Sequence, residues 1–124
     1  SKLEGENDES AGSYIDNSKR NNGTSVNVVS IDSYYTSNIK SKISYIKMDI
    51  EGSEVNALKG AKNIIKKFKP DMAICLYHRD SDFYQIPEIV LDFAPSYKIW
   101  FAHHSDTFED SIMYFSTKST LVQA

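Results

Sequence analysis

Residues 43–61 read Ile43-Ser-Tyr-Ile-Lys-Met-Asp-Ile-Glu-Gly-Ser-Glu-Val-Asn-Ala-Leu-Lys-Gly-Ala61, and their hydrophobic period changes at Gly52. The residues before Asp49 form a short apolar run, which is typical of a buried β-strand. Beyond Gly52, apolar residues recur at three- and four-residue steps as far as Phe68, which predicts an amphipathic helix. Open α/β sheets bind their ligands at the carboxyl ends of the strands. Three carboxylates fall at that end of the predicted strand: Asp49, Glu51 and Glu54.

Composition limits the size of the domain and the kind of partner. The 124 residues, 40% of them hydrophobic, predict one domain at most. A net charge of −3 argues against nucleic acids and anionic membranes as the main partner, because both require a dense Lys/Arg surface. Cys75 lies in an apolar run, which favours a small buried residue over a disulfide partner or a nucleophile. With no membrane-length apolar run and no signal peptide, we expect a cytoplasmic location.

The chain before the central strand is polar. Residues 1–22 are rich in Ser, Asn, Asp, Glu, Lys and Gly, and we expect a poorly ordered N-terminal segment. The β-branched run Val26–Ile31 predicts a first strand, and Asp32 or Ser33 is the expected N-cap of a short helix that follows it. The predicted domain therefore covers residues 23–118, and residues 119–124 form a tail.

The chain after the central helix predicts one more strand–helix unit and a hairpin. Pro70 ends the helix, and the nearly continuous apolar residues from 71 to 77 suit a parallel strand that is buried on both faces. Residues 82–93 have helical spacing. The segments 97–101 and 112–116 read as two strands of a hairpin at the sheet edge, so their aromatic residues are expected to pack in the core and the hairpin. This order predicts an α/β fold: parallel strands with helices and a terminal antiparallel hairpin.

Several separated motifs follow one another in a fixed order. They are Ser30-Ile-Asp32, Ile46-Lys-Met-Asp-Ile-Glu-Gly-Ser-Glu54, Leu58-Lys-Gly-Ala61, Lys69-Pro70, Tyr77-His78 and Ile86-Pro87, before the closing hairpin. Together, over residues 26–116, they closely resemble the C-terminal half of FkbM-type methyltransferases. The resemblance implies the back half of a Rossmann-like class I methyltransferase sheet, S-adenosylmethionine as cofactor, and methylation of hydroxyl groups, often on sugars or polyketide-derived metabolites.

One part of the family pattern is missing from this sequence. The family builds its cofactor site largely from a glycine-rich turn after the first strand and an acidic residue at the end of the second. This chain has five glycines, and no Gly-x-Gly turn follows any predicted strand. We therefore expect a fragment that corresponds to the acceptor side of the domain and binds S-adenosylmethionine poorly by itself.

The strand ends supply a candidate catalytic group. Asp49 ends the central strand and His78 ends the next, so in a parallel pair both lie at one edge of the sheet. Methyl transfer to an alcohol requires an acceptor oxygen that is aligned and partly relieved of its proton. Our hypothesis is a catalytic set of Asp49, Glu51 and His78. Asp49 also contacts the methionyl end of the cofactor or a divalent metal, and His78 acts as base or orients the acceptor. The oxygen and nitrogen ligands of these three residues suit manganese, iron or zinc, and the sequence leaves the identity of the metal unknown.

Structural roles remain open for each of these residues. Asp49 is an alternative cap for the following helix, and Glu51 and Glu54 are alternative partners of its dipole. His78 is alternatively a hydrogen-bonded strand-end imidazole. His103 and His104 are expected in a solvated loop and not at a metal, because no further ligand has metal-site spacing.

Two functions follow from these observations. The first is an O-methyltransferase fragment whose partner is a hydroxylated small molecule or a glycan acceptor. The second is a non-catalytic, methyltransferase-like module that acts in oligomerisation or partner binding. An unpaired edge on the central strand recruits another chain, so a homodimer is expected in the second case. Whether the chain is an enzyme by itself stays open at this point.

Overall fold

The computed structural model describes residues 2–5, 13–16, 24–76, 80–103 and 111–119. Within these ranges, every helix is too short or too polar to span a lipid bilayer. The strands are β1 (Lys2–Gly5), β2 (Ser13–Asp16), β3 (Thr24–Ser25), β4 (Tyr45–Met48), β5 (Asp71–Cys75), β6 (Lys98–His103) and β7 (Ser111–Ser116). The helices are α1 (Ile31–Asn38), α2 (Glu54–Lys59), α3 (Lys62–Phe68) and α4 (Asp82–Phe93).

The larger sheet has four strands in the order β4-β5-β7-β6. β4 and β5 run parallel, from Tyr45 opposite Asp71 to Met48 opposite Ile74. β6 and β7 form an antiparallel hairpin, and β7 inserts between β5 and β6. The predicted mixed α/β sheet, with a parallel pair and a terminal hairpin, is confirmed. β4 and β6 are its two outer strands. Because β7 is antiparallel to both β5 and β6, the strands β4, β5 and β6 run in the same direction and end at the same edge of the sheet.

The hydrophobic core lies between this sheet and helices α2, α3 and α4. Residues that are directly opposite in neighbouring strands share a face, so Ile74 of β5 and Met113 of β7 point to the same side. Helix residues such as Leu58, Ile65 and Val90 belong to the same buried cluster. Burying each of these side chains stabilises the fold by roughly 1.5–3 kcal/mol. Cys75 is 5% exposed, as predicted for a small buried residue.

The N-terminal part of the chain contains a small separate sheet. In it, β1 pairs antiparallel with β2 and with β3 through backbone hydrogen bonds. The poorly ordered segment predicted for residues 1–22 stays a prediction. Residues 1, 6–12, 17–23 and 120–124 lie outside the described ranges. The predicted boundaries at 23–118 and 119–124 therefore stay predictions.

The predicted strand at Val26–Ile31 is wrong. Residues 26–30 are in neither strand nor helix, and Ile31 already begins α1. Ser30 is the N-cap, because its side chain accepts a hydrogen bond from the Ser33 backbone N–H at 3.1 Å. The prediction that Asp32 or Ser33 caps this helix is therefore also wrong. Local capping outweighed the β-propensity of the valines.

Asp32 instead caps a different helix. The predicted single helix from Val55 to Phe68 is broken at Gly60 into α2 and α3. The two carboxylate oxygens of Asp32 accept hydrogen bonds from the backbone N–H groups of Asn63 (2.9 Å) and Ile64 (3.0 Å), in the first turn of α3. The Asp32 backbone N–H donates to the Gly60 carbonyl at 2.8 Å. Asp32 thus accepts hydrogen bonds from N–H groups at the start of a helix 31 positions further along the chain. No local sequence pattern indicates this contact.

A polar cluster lies at the opposite edge of the sheet from the carboxyl ends of β4 and β5, where β5 begins. The Asp71 carboxylate accepts hydrogen bonds from the Ser116 hydroxyl (2.6 Å) and the Lys118 ammonium (2.7 Å). Burial acts to raise the pKa of Asp71, but these hydrogen bonds and the Lys118 charge outweigh it and hold that pKa below its ordinary value. Because the folded-state pKa is lowered, this stabilisation is present above the ordinary aspartate pKa and is lost as the pH falls through the lowered value. Nearby, the Tyr97 hydroxyl donates to the Pro70 carbonyl at 2.7 Å, and burial first, then the charge of Asp71, raises the pKa of Tyr97.

Candidate functional site

A tight turn connects β4 to α2 at the carboxyl end of the strand. Glu51 (φ 56°) and Gly52 (φ 89°) both have positive φ, and the Ser53 N–H donates to the Ile50 carbonyl at 3.2 Å. Two central residues with positive φ define the type I′ arrangement. Glycine adopts this conformation readily, whereas Glu51 does so at a cost on the order of 1 kcal/mol. The turn lets the helix begin within a few residues of the strand end.

Glu54 holds this turn from the inside. Its side chain is fully buried (0% exposed), and its Oε1 accepts a hydrogen bond from the Ile50 backbone N–H at 2.9 Å. Glu54 lies in the first turn of α2, which is the structural alternative stated above. The three carboxylates therefore separate into one that is buried and two, Asp49 and Glu51, that are exposed.

Asp49 directly follows β4 and is exposed. The N-cap position of α2 is Ser53, whose side chain makes no cap hydrogen bond, and the cap alternative for Asp49 stays a prediction. The register of β4 and β5 brings the end of β4 beside the end of β5, as predicted for the strands. His78 follows β5, and residues 77–79 lie outside the described ranges. The juxtaposition of Asp49 and His78 therefore stays a prediction.

The metal hypothesis likewise remains a prediction. Among the described residues, no three His, Cys, Asp or Glu side chains form a group that would hold a metal ion. Asp49 and Glu51 flank Ile50, but the third proposed ligand, His78, is not among those residues.

A groove of about 490 Å³ lies beside the turn. One wall is residues 28–30 with Ile31, the first residue of α1, and the other is the turn with one side of α2. Val28 and Val29 are 53% and 60% exposed, and Ile50 is 40% exposed, so much of the lining is apolar. Ligand sites of this size are common, and their lining is mostly apolar. The lining residues are Val28, Val29, Ser30, Ile31, Ile50, Gly52, Ser53, Asn56, Ala57 and Gly60.

Close packing of Ser30 against Gly60 holds the two walls together. A Cβ added to Gly60 would lie 3.1 Å from the Ser30 Cβ, so a larger residue would push the segment away. The motifs Ser30-Ile-Asp32 and Leu58-Lys-Gly-Ala61 are thus two sides of one contact. Our strand prediction for residues 26–31 missed this groove. The sequence signal for this helix start was Ser30, which lies three residues before a backbone N–H of the first helical turn that needs a hydrogen-bond acceptor.

A histidine with a hydrogen-bond partner lies at the far side of the same sheet edge. His103 is the last residue of β6, and its Nδ1 lies 2.9 Å from the hydroxyl of Ser111, which is 1% exposed. The Ser111 carbonyl in turn accepts the Leu76 backbone N–H at 3.1 Å. His103 is therefore exposed as predicted but lies at a strand end and not in a loop, and His104 lies outside the described residues. Phe101 is 53% exposed, which also differs from the expected core packing of the hairpin aromatics.

Comparison with known proteins gives two matches. A family model described as the methyltransferase FkbM domain matches residues 2–115. The crystal structure of methyltransferase FkbM from Methylobacillus flagellatus KT is similar with 41% sequence identity and a TM-score of 0.60. That match covers 64% of this chain and 21% of the solved chain, so this chain spans about a fifth of its length. A comparison with curated proteins found no match.

Proposed function

Because this chain belongs to the methyltransferase FkbM family, we propose that it is the acceptor-side part of an S-adenosylmethionine-dependent O-methyltransferase. The proposed acceptor is a hydroxyl group of a sugar or another small metabolite. The observation that supports this best is the parallel pair β4–β5, which ends beside an apolar groove with the exposed carboxylates of Asp49 and Glu51. The sheet order β4-β5-β7-β6 supports the back half of a Rossmann-like sheet.

The described residues suit one part of the cofactor. An exposed carboxylate such as Asp49 is a good partner for the cationic methionyl end, and the apolar wall at Val28 and Val29 offers contact to its uncharged parts. No Gly-x-Gly sequence occurs anywhere in the chain, so the close backbone approach that such a turn provides has no counterpart. S-adenosylmethionine, when bound by a complete domain, supplies the methyl group. This chain supplies groups for the acceptor.

The proposed roles follow from the chemistry of a hydroxyl acceptor. His78, three residues after the last residue of β5, takes the acceptor proton or orients the acceptor oxygen. Asp49 contacts the methionyl end or stabilises a protonated His78, because a carboxylate favours a nearby imidazolium. Glu51 stands on the turn that forms one wall of the groove and contributes a second negative charge at that edge. A divalent metal held by these groups is a further proposal.

A second candidate function uses the same edge of the sheet. β4 stands at one end of the sheet order and Tyr45 is 49% exposed, which favours pairing with another chain. In this alternative the chain is a non-catalytic module, and a second copy covers β4 in a homodimer.

A hybrid enzyme tests the proposal. This chain replaces the matching segment of the Methylobacillus flagellatus methyltransferase, whose remaining residues complete the domain. We expect the hybrid to transfer a labelled methyl group from S-adenosylmethionine to oxygen in a panel of sugars and phenols, with methyl ethers detected by mass spectrometry. Deoxy analogues, which lack the hydroxyl, are the control and should stay unlabelled.

Calorimetry of S-adenosylmethionine binding to the hybrid shows whether the domain has assembled. A hybrid that binds the cofactor and methylates nitrogen or carbon, or no acceptor at all, contradicts the O-methyltransferase proposal. Light scattering that shows a dimer of the isolated chain, together with that result, supports the non-catalytic alternative.

A further inference from the structure

The exposed side of β6 presents an aromatic ring and an imidazole together. Side chains alternate along a strand, so Phe101 and His103 project from the same face. Phe101 is directly opposite Met113, which belongs to the buried cluster. Phe101 and His103 therefore lie on the face of the sheet that the helices cover near its centre. On this face Phe101 is 53% exposed and His103 is exposed.

Neighbouring residues restrict the orientation of both rings. The Phe83 ring of α4 lies 5.7 Å from the Phe101 ring, centroid to centroid, at 42°. Contact with Phe83 on one side leaves part of the Phe101 ring available to a ligand. The buried Ser111 hydroxyl, 2.9 Å from Nδ1, orients the imidazole of His103. A ring and a hydrogen-bonding group in fixed orientations are pre-organised for a ligand.

The distance from the proposed reaction centre decides what role this pair has. β4 and β6 both end at the carboxyl edge, and three strand spacings separate them in the order β4-β5-β7-β6. At ~4.8 Å per spacing, the end of β6 is about 14 Å from the end of β4. Proton transfer needs a contact of about 3 Å, so His103 does not serve the reacting hydroxyl near Asp49. A distance of this size suits a second ring of the acceptor.

We propose that Phe101 and His103 form an acceptor subsite that binds a saccharide ring remote from the methylated hydroxyl. This inference rests on the proposed function and narrows its acceptor to a molecule of at least two rings. The chemistry fits a sugar because its C–H face is apolar and packs on an aromatic ring, while its edge carries hydroxyls that bond to an imidazole. Contacts remote from the reacting group strengthen binding and help to orient the acceptor.

Saccharide binding to the chain itself tests the subsite without any methyl transfer. The probes are a panel of methyl hexosides, deoxyhexosides and disaccharides, and binding is measured by saturation-transfer NMR. We expect at least one disaccharide to bind, and Phe101→Ala to weaken it about 3- to 10-fold. Tyr34→Ala is the matched control, because Tyr34 is 52% exposed and lies on α1, and it should bind like the parent chain.

His103→Gln provides a second variant that keeps a hydrogen-bonding side chain of similar size. We expect it to weaken the same saccharide several-fold and to leave the circular dichroism spectrum unchanged. The subsite is overturned if no saccharide of the panel binds, or if Phe101→Ala and His103→Gln bind as the Tyr34→Ala control does. Binding that depends on Phe101, combined with a hybrid enzyme that methylates nothing, would leave the subsite standing and reject the proposed function.

Discussion

Replacing Glu54 by alanine is expected to lower the free energy of unfolding by about 2–4 kcal/mol. The variant removes a fully buried side chain, and it takes the carboxylate oxygen away from the Ile50 N–H, 2.9 Å distant. Loss of a buried hydrogen-bond acceptor and creation of a cavity both destabilise the fold. Urea unfolding followed by circular dichroism measures the change, with the fluorescence of Trp100 as a second probe.

Two further variants separate the causes. Glu54→Gln keeps an oxygen acceptor and most of the volume, so we expect it to lose less stability than Glu54→Ala. Glu51→Ala removes an exposed carboxylate three residues earlier and should change the free energy of unfolding by no more than ~0.5 kcal/mol. If Glu54→Ala proves as stable as Glu51→Ala, Glu54 does not hold the turn and the description of this edge is wrong.

Substituting His78 by alanine in the hybrid enzyme is expected to lower kcat by about 10²- to 10⁴-fold, the usual contribution of a positioned acid–base group. Binding of S-adenosylmethionine should change little, because His78 is assigned to the acceptor and not to the cofactor. Steady-state methyl transfer measures kcat, and calorimetry measures cofactor binding.

His78→Gln then distinguishes between the two roles proposed for this residue. Glutamine can orient an acceptor oxygen through hydrogen bonds but cannot take its proton at neutral pH. Recovery of turnover in His78→Gln indicates an orienting role, and continued loss indicates a base. Undiminished turnover in His78→Ala removes His78 from the mechanism altogether.

The elements with strong periodicity were predictable from sequence. The helix at residues 82–93 matches α4, and the strands predicted at 97–101 and 112–116 correspond to β6 and β7. The parallel pair β4–β5 was predicted from two apolar runs separated by a helical pattern, and the structure confirms it. In each case the local pattern and the tertiary packing favour the same element.

Long-range hydrogen bonds explain the failures. The break at Gly60 depends on Asp32, which caps α3 from outside the helix, and a helical pattern that runs through residues 55–68 contains no sign of it. The valines before Ser30 suggested a strand because β-propensity is a local average, whereas the Ser30 cap decides where α1 begins. Such contacts depend on which segments meet in space.

The candidate site was predictable only in part. Asp49 and Glu51 are exposed at the strand end as expected, but Glu54, identical to Glu51 in chemistry, is buried because it points back under the turn. Spacing alone does not separate these two residues. His103 was expected in a solvated loop, since its partner Ser111 lies eight residues away across a hairpin whose exact register was not predictable.

The central claim is that Asp49 and His78 share one edge of the sheet, and NMR titration of the histidine ring protons tests it in the chain itself. A nearby carboxylate favours the protonated imidazole, so removing its charge lowers the pH at which that ring titrates. We predict that Asp49→Asn lowers the titration midpoint of His78. A His78 curve that is identical in the parent chain and in Asp49→Asn would contradict the shared edge.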